Sequence, residues 1–280
     1  MRISRPPRRF AKLYWPVPQL GRHAQSDDPY TPMQNRSTPE SFKFQLLQIE
    51  EVQPESKLVP KTRSGHRMIS DDSGDLYSFG GFNLQVPVDE TEISNEPTDT
   101  RKKCNTLFQE LWKFNWRTRC WTKLKTTGDI PDKLVSHCMC YWRNKIIIYG
   151  GTGLPYGRKS SNKLTIYHIE SNRWEELEPL SEASRSPQEM YGQACVCDQE
   201  RGELYVIGGT DGSKYSLDVH KFNLYTRKWT QLYKSTGYNP GEPGLRYRHE
   251  IALYDNKLFI FGGSSNETFY DLRKVRSLHL

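Results

Sequence analysis

Leu204-Tyr205-Val206-Ile207-Gly208-Gly209 is a short apolar run closed by paired glycines, and the chain repeats it. The same device recurs as Leu76-Tyr77-Ser78-Phe79-Gly80-Gly81, Ile146-Ile147-Ile148-Tyr149-Gly150-Gly151 and Leu258-Phe259-Ile260-Phe261-Gly262-Gly263. The first glycines lie 70, 58 and 54 residues apart. A run apolar at nearly every position suits a strand buried on both faces. Paired glycines at its end let the chain turn through φ > 0 and let backbones pass closely.

Two further signals keep step with the glycines. After each of the first three pairs comes a strand pattern and then Trp-x-x-Leu, with Trp121, Trp174 and Trp229. Before each pair comes another strand pattern, headed by His66, His137, Gln193 or His249. Every unit therefore reads as four short strands, a to d, with tight connections. One such sheet cannot cover both of its faces, so units stack side by side in a ring, and the Trp is expected to cover the next blade. Units near 50 residues identify kelch repeats. The expected fold class is all-β, a kelch-repeat β-propeller, with repeats at about 63–124, 134–177, 190–232 and 246–280.

Several stretches carry a closer resemblance. They are Arg63-Ser64-Gly65-His66-Arg67, Tyr149-Gly150-Gly151-Thr152-Gly153-Leu154-Pro155-Tyr156-Gly157, Tyr191-Gly192-Gln193-Ala194, Arg227-Lys228-Trp229-Thr230-Gln231-Leu232 and Arg246-Tyr247-Arg248-His249-Glu250-Ile251-Ala252. Together they resemble the kelch-domain-containing substrate receptors of cullin-2 ubiquitin ligases, over about residues 42–280. That resemblance implies a six-bladed ring, of which four repeats are present here, and capture of the C-terminal tails of protein substrates. It also implies elongins B and C and cullin-2 as partners, recruited through a C-terminal helical box. The chain stops at Leu280, in strand c of its fourth repeat, without that box, so recruitment is expected of a longer form and not of this chain.

The ends read differently from the repeats. Residues 1–41 hold seven prolines and read as a disordered basic tail. Residues 42–50, with Phe44 and Leu47 in the place of Trp-x-x-Leu, read as a lone outer strand able to close the ring. The insertion after Gly81 carries Asp89, Glu90, Glu92, Glu96 and Asp99, and reads as a solvated loop.

The formal net charge of +7 comes almost wholly from the tail, where Arg2, Arg5, Arg8, Arg9, Lys12 and Arg22 precede the first acid, Asp27. A nucleic-acid binder should carry its basic stripe on the folded module, so nucleic acid is not an expected partner. No apolar run approaches the roughly 18 residues of a membrane span, and a cytoplasmic or nuclear location is expected. The two Cys-x-Cys pairs, Cys138/Cys140 and Cys195/Cys197, fit no zinc spacing and read as small core residues. No metal or other cofactor is expected. No nucleophile elbow, phosphate loop or zinc-protease motif occurs, and the expected activity is non-catalytic binding.

In a meander of four strands the d–a and b–c loops meet on one face, and loops on a rigid scaffold usually carry function. The candidate partner-binding residues there are Arg63, Tyr156, Arg185, Tyr191, Gln193, Tyr215, Arg246 and Arg248. The clustering of arginines on this face, together with the resemblance, leads to the expectation that Arg246 or Arg248 takes a tail carboxylate, with Tyr191 and Gln193 shaping the pocket. His66, His137 and His249 recur in register and are expected to support the inner strand by hydrogen bonding.

Overall fold

The computed structural model describes residues 58–84, 106–180, 186–237 and 243–265, together with the backbone of Arg276–His279. The tail 1–41, the lone strand 42–50, the acidic part of the insertion and Arg185 lie outside the described residues.

Strands alone make up the regular structure among the described residues. The first repeat contributes β1 (Arg67–Ser70), β2 (Leu76–Phe79), the two-residue β3 (Phe82–Asn83) and β4 (Thr106–Leu107), then β5 (Leu111–Asn115) and β6 (Cys120–Lys123). After β7 (Thr127–Gly128), the second gives β8 (Cys138–Trp142), β9 (Lys145–Tyr149), β10 (Leu164–His168) and β11 (Arg173–Glu176). The third gives β12 (Ala194–Asp198), β13 (Glu203–Thr210), β14 (Tyr215–Asn223) and β15 (Lys228–Tyr233), and the fourth β16 (Tyr247–Tyr254), β17 (Lys257–Ser264) and β18 (Arg276–His279).

Each repeat is its own antiparallel sheet. The orders are β1-β2-β5-β6, β8-β9-β10-β11, β12-β13-β14-β15 and β16-β17-β18, with β7 added in parallel outside β11. The pair β3–β4 ties the two ends of the insertion together at its base. The innermost strands touch in sequence, β1 on β8, β8 on β12 and β12 on β16. This is the blade packing of a kelch β-propeller. The a–b hairpins of blades 2 and 4 turn on Arg143-Asn144 and Asp255-Asn256, all four with φ > 0. Such two-residue turns match the twist of the strands they join.

Alternation along a strand explains the burial of strand b. In β9, Ile146 and Ile148 join Met139, Tyr167 and Trp174 in facing Tyr77, Phe79 and Leu111 of blade 1. Ile147 and Tyr149 join Leu164 and Ile166 in facing Leu204, Val206, Phe222 and Trp229 of blade 3. Strand b is thus apolar throughout because both its faces are interfaces.

The tryptophans correct one expectation. Trp174 packs on Phe79 of the preceding blade at 5.4 Å between ring centroids, and Trp229 on Tyr149 of the preceding blade at 5.2 Å. Register decides the direction, since Trp174 pairs with Tyr167, whose side faces blade 1.

The glycine pairs form slots between blades. A Cβ on Gly80, at φ +68°, would stand 2.5 Å from the Leu134 carbonyl oxygen and 3.0 Å from the His137 ring of the next blade. The same slot recurs as Gly150 against Gln193 and Gly208 against His249, while Gly81, Gly151, Gly209 and Gly263 lie over the His or Gln of their own blade. His137 therefore acts by shape. Both ring nitrogens of His137 lack a hydrogen-bond partner, contrary to the expected hydrogen-bonding role, because the slot presents glycine backbone to the ring. Backbone hydrogen bonds also join neighbouring blades. Ser136 N donates to Gly65 O, Gly192 N to Ser136 O and Arg248 N to Gly192 O, at 2.7–2.8 Å, and all four residues have φ > 0.

Candidate functional site

Three blades contribute loop residues to one aromatic cluster. Tyr156 comes from the β9–β10 loop, Tyr191 from the loop before β12, Tyr215 from the start of β14, and Tyr247 and Arg248 from the start of β16. Tyr156 and Tyr191 meet edge to face at 5.1 Å, as do Tyr191 and Tyr247 at 6.3 Å, while Tyr215 and Tyr247 meet at a tilt at 5.3 Å. Arg248 Nη2 donates to Tyr156 Oη at 3.0 Å, and its guanidinium lies 5.3 Å from the centre of the Tyr247 ring. Ser136 Oγ sits 3.2 Å from the same Tyr156 oxygen. Tyr191 is nearly buried, whereas Tyr156 and Arg248 are exposed.

The series of backbone hydrogen bonds from Gly65 through Ser136 and Gly192 places Arg248. Its left-handed φ of 55° continues the series Gly65, Ser136, Gly192, and here that position carries a long cationic side chain. Among the described residues, Arg248 has no carboxylate partner; its hydrogen bond goes to a phenol. Burial opposes its charge, but the Tyr156 hydrogen bond and the surrounding phenol oxygens outweigh that and raise its pKa. Burial raises the Tyr191 and Tyr215 hydroxyls. A partly desolvated cation held by aromatic rings and open to solvent is suited to a carboxylate.

Other sequence-selected residues go elsewhere. Arg246 is 3% exposed; its Nε donates to Gly244 O at 2.8 Å and its Nη1 to Gly262 O at 3.1 Å. Arg63 holds the equivalent place in blade 1, donating to Lys61 O, Gly80 O and, at 2.8 Å, Glu110 Oε2, with Phe108 stacked 4.0 Å below. Both guanidiniums fasten the paired-glycine turn of their own blade. Gln193 fills the Gly150 slot between blades 2 and 3, with its Oε1 unpartnered. Tyr247 and Ser136 are cluster members that sequence reasoning missed. The signal was present, since each stands immediately beside a residue in register with Arg248 or is itself in that register.

The fold and the cluster define a repeat propeller with its open aromatic–arginine surface on the loop face. The sequence profile of the KLHDC2/KLHL20/DRC7 Kelch-repeats domain matches residues 33–263, and the chain belongs to that family. It is similar to kelch domain-containing protein 10 of Homo sapiens, 37% identical over 221 residues that cover 79% of this chain and 47% of that protein. The Xenopus tropicalis protein of the same name is 34% identical over 225 residues, 80% of this chain and 51% of its own length. A homolog of it in Drosophila melanogaster is 33% identical over 248 residues, 85% and 39% respectively. The chain spans about half the length of the curated relatives it matches.

Proposed function

We propose that the loop face binds the C-terminal tails of other proteins, with Arg248 taking the terminal carboxylate and Tyr156, Tyr191, Tyr215 and Tyr247 walling the last residues. The observation that supports this reading is Arg248 itself, a cation without a carboxylate partner among the described residues, in an aromatic cluster. Arg246 is the weaker choice because its guanidinium is buried against backbone carbonyls. The whole protein acts as a substrate-recognition subunit of a cullin-2 ubiquitin ligase, of the kind of the receptor called Slim, with elongins B and C as partners. Reading a chain end lets one pocket serve many partners.

Fluorescence polarisation with peptides ending in glycine tests it. The free-acid peptide should bind and its C-terminal amide should not. Arg248→Ala should cost about 2–5 kcal/mol, because the carboxylate is then desolvated without its partner. Equal affinity for acid and amide would discard the carboxylate reading and favour a signalling or cytoskeletal scaffold that uses the same face.

A further inference from the structure

Two Cys-x-Cys pairs stand on neighbouring innermost strands, Cys138 and Cys140 on β8 and Cys195 and Cys197 on β12. Residues two apart on a strand share a face, and the interface of blades 2 and 3 brings the pairs together. Cys138, Cys140 and Cys197 lie in one core cluster, with Cys195 packed against it. All four are free thiols. Alanine or valine would fill such positions equally well, so packing alone does not call for four thiols in one cluster. A metal centre is not the reading, since no group of three or more ligating side chains among the described residues is arranged to hold an ion.

Two features single out one pair. Cys195 is partly exposed whereas Cys138, Cys140 and Cys197 are buried. The Arg67 guanidinium from β1 reaches this junction, donating from Nε to the carbonyl of His137 at 3.2 Å, and its charge acts on Cys138 and Cys195 together. Burial pushes the Cys138 thiol up and Arg67 works against it. At Cys195 the hydrogen bond with Cys138 lowers the thiol, that with Cys140 and burial raise it to a net upward shift, and Arg67 again opposes.

We propose that Cys195 and Cys138 are an oxidisable dithiol that staples blade 2 to blade 3 when the protein meets a hydroperoxide. The Cys195 sulfur, as thiolate, attacks one peroxide oxygen, the O–O bond breaks, and hydroxide leaves and takes up the proton shed by Cys195, giving a sulfenic acid and one water. The Cys138 thiolate then attacks that sulfur, the S–O bond breaks, and the departing hydroxide takes up the proton shed by Cys138. Two thiols and hydrogen peroxide thus become one disulfide and two waters, sulfur being oxidised and peroxide oxygen reduced. The covalent link joins the blade of Tyr156 to the blade of Tyr191, which is only four residues from Cys195 in the chain. Because the upward pKa shifts leave little thiolate at neutral pH, the staple forms slowly and answers to sustained exposure.

The test treats the full chain with hydrogen peroxide, blocks remaining thiols with N-ethylmaleimide, and maps tryptic peptides by tandem mass spectrometry. The peptides 134–143 and 186–201 should appear cross-linked through Cys138 and Cys195, and dithiothreitol should separate them. The melting midpoint of the oxidised protein should rise by about 5 °C, as expected for closing a long loop. Cys138→Ala should remove the cross-link and leave a Cys195 sulfenic acid that dimedone traps, whereas Cys140→Ala should keep the cross-link. Wild-type protein that yields sulfinic acid without a cross-link, or a cross-link that survives Cys138→Ala, overturns the proposal. Should Cys138→Ala not fold, the fragment ions of the wild-type cross-link decide which sulfurs are joined.

Discussion

Arg67 on the innermost strand of blade 1 pairs with Glu250 on the innermost strand of blade 4. The two residues are 183 positions apart, so the contact spans the whole arc of described blades. Its side chains are 26% and 53% exposed, and an ion pair so wetted contributes little, about 0–1 kcal/mol. A double-mutant cycle of Arg67→Met and Glu250→Gln, read by urea unfolding, should give a coupling within that range. The coupling should shrink further in 1 M salt, because salt screens ion pairs whose side chains are open to solvent. A coupling above about 2 kcal/mol would mean that the pair is far drier than its exposure indicates.

Gly80 and Gly74 separate two costs that are usually confounded. Both have φ > 0, but a Cβ on Gly74 meets nothing within 4 Å, whereas on Gly80 it meets the Leu134 carbonyl at 2.5 Å. Gly74→Ala should cost about 1–2 kcal/mol, the left-handed penalty alone. Gly80→Ala must also push blade 2 away and should cost at least about 3 kcal/mol. Equal losses in chemical denaturation would show that the slot between blades is not tight.

Trp174 is fully buried between Phe79 and Tyr167. Trp174→Ala should lower stability by about 3–5 kcal/mol as a large core truncation. Because its partner Phe79 lies in blade 1, Phe79→Ala combined with it should be less than additive. Additive losses would place the two rings in separate environments.

His137 sets the response to acid. Burial first, then the charges of Arg67 and His66, lower its pKa to about 3. A histidine whose folded pKa lies below its unfolded value stabilises fully above pH 6.5 and loses that contribution as pH falls toward 3. His249 is lowered likewise, to about 3. Each should cost about 1.4 kcal/mol by pH 5.5. Glu110 acts in a lower window. Burial pushes its carboxyl up, but hydrogen bonds from Lys123, Trp112 and Arg63 hold it at about 2, so its contribution is lost only below pH 4.5. His137→Gln, copying Gln193 at the same register, should therefore make the stability profile shallower from pH 6.5 down toward 3, leaving His249 to supply slope there and Glu110 below pH 4.5. An unchanged slope in that window would mean that His137 is not held neutral.

The repeat was legible from the chain because each of its signals is local. Ile146 to Gly151 announce a strand buried on both faces and a turn through φ > 0, and neither depends on what packs against them. His137 was placed correctly in register but given a hydrogen-bonding role, because its slot is made by Gly80 of another blade. The direction of Trp174 was misjudged for a related reason. Which face of a blade meets which neighbour follows from strand parity across four strands, and no single segment carries that.

The functional surface divides along the same line. Arg246 and Arg248 are two residues apart and look alike in sequence, yet one fastens Gly262 and the other stands among four tyrosines. By itself the sequence determined the strands, the glycine turns and the face on which loops gather, since these follow from periodicity and backbone freedom within a repeat. Only the tertiary structure decided which arginine keeps its charge available and which cysteines meet. Those outcomes depend on how blades 2, 3 and 4 are brought side by side, and the contacts that do so join residues far apart in the chain.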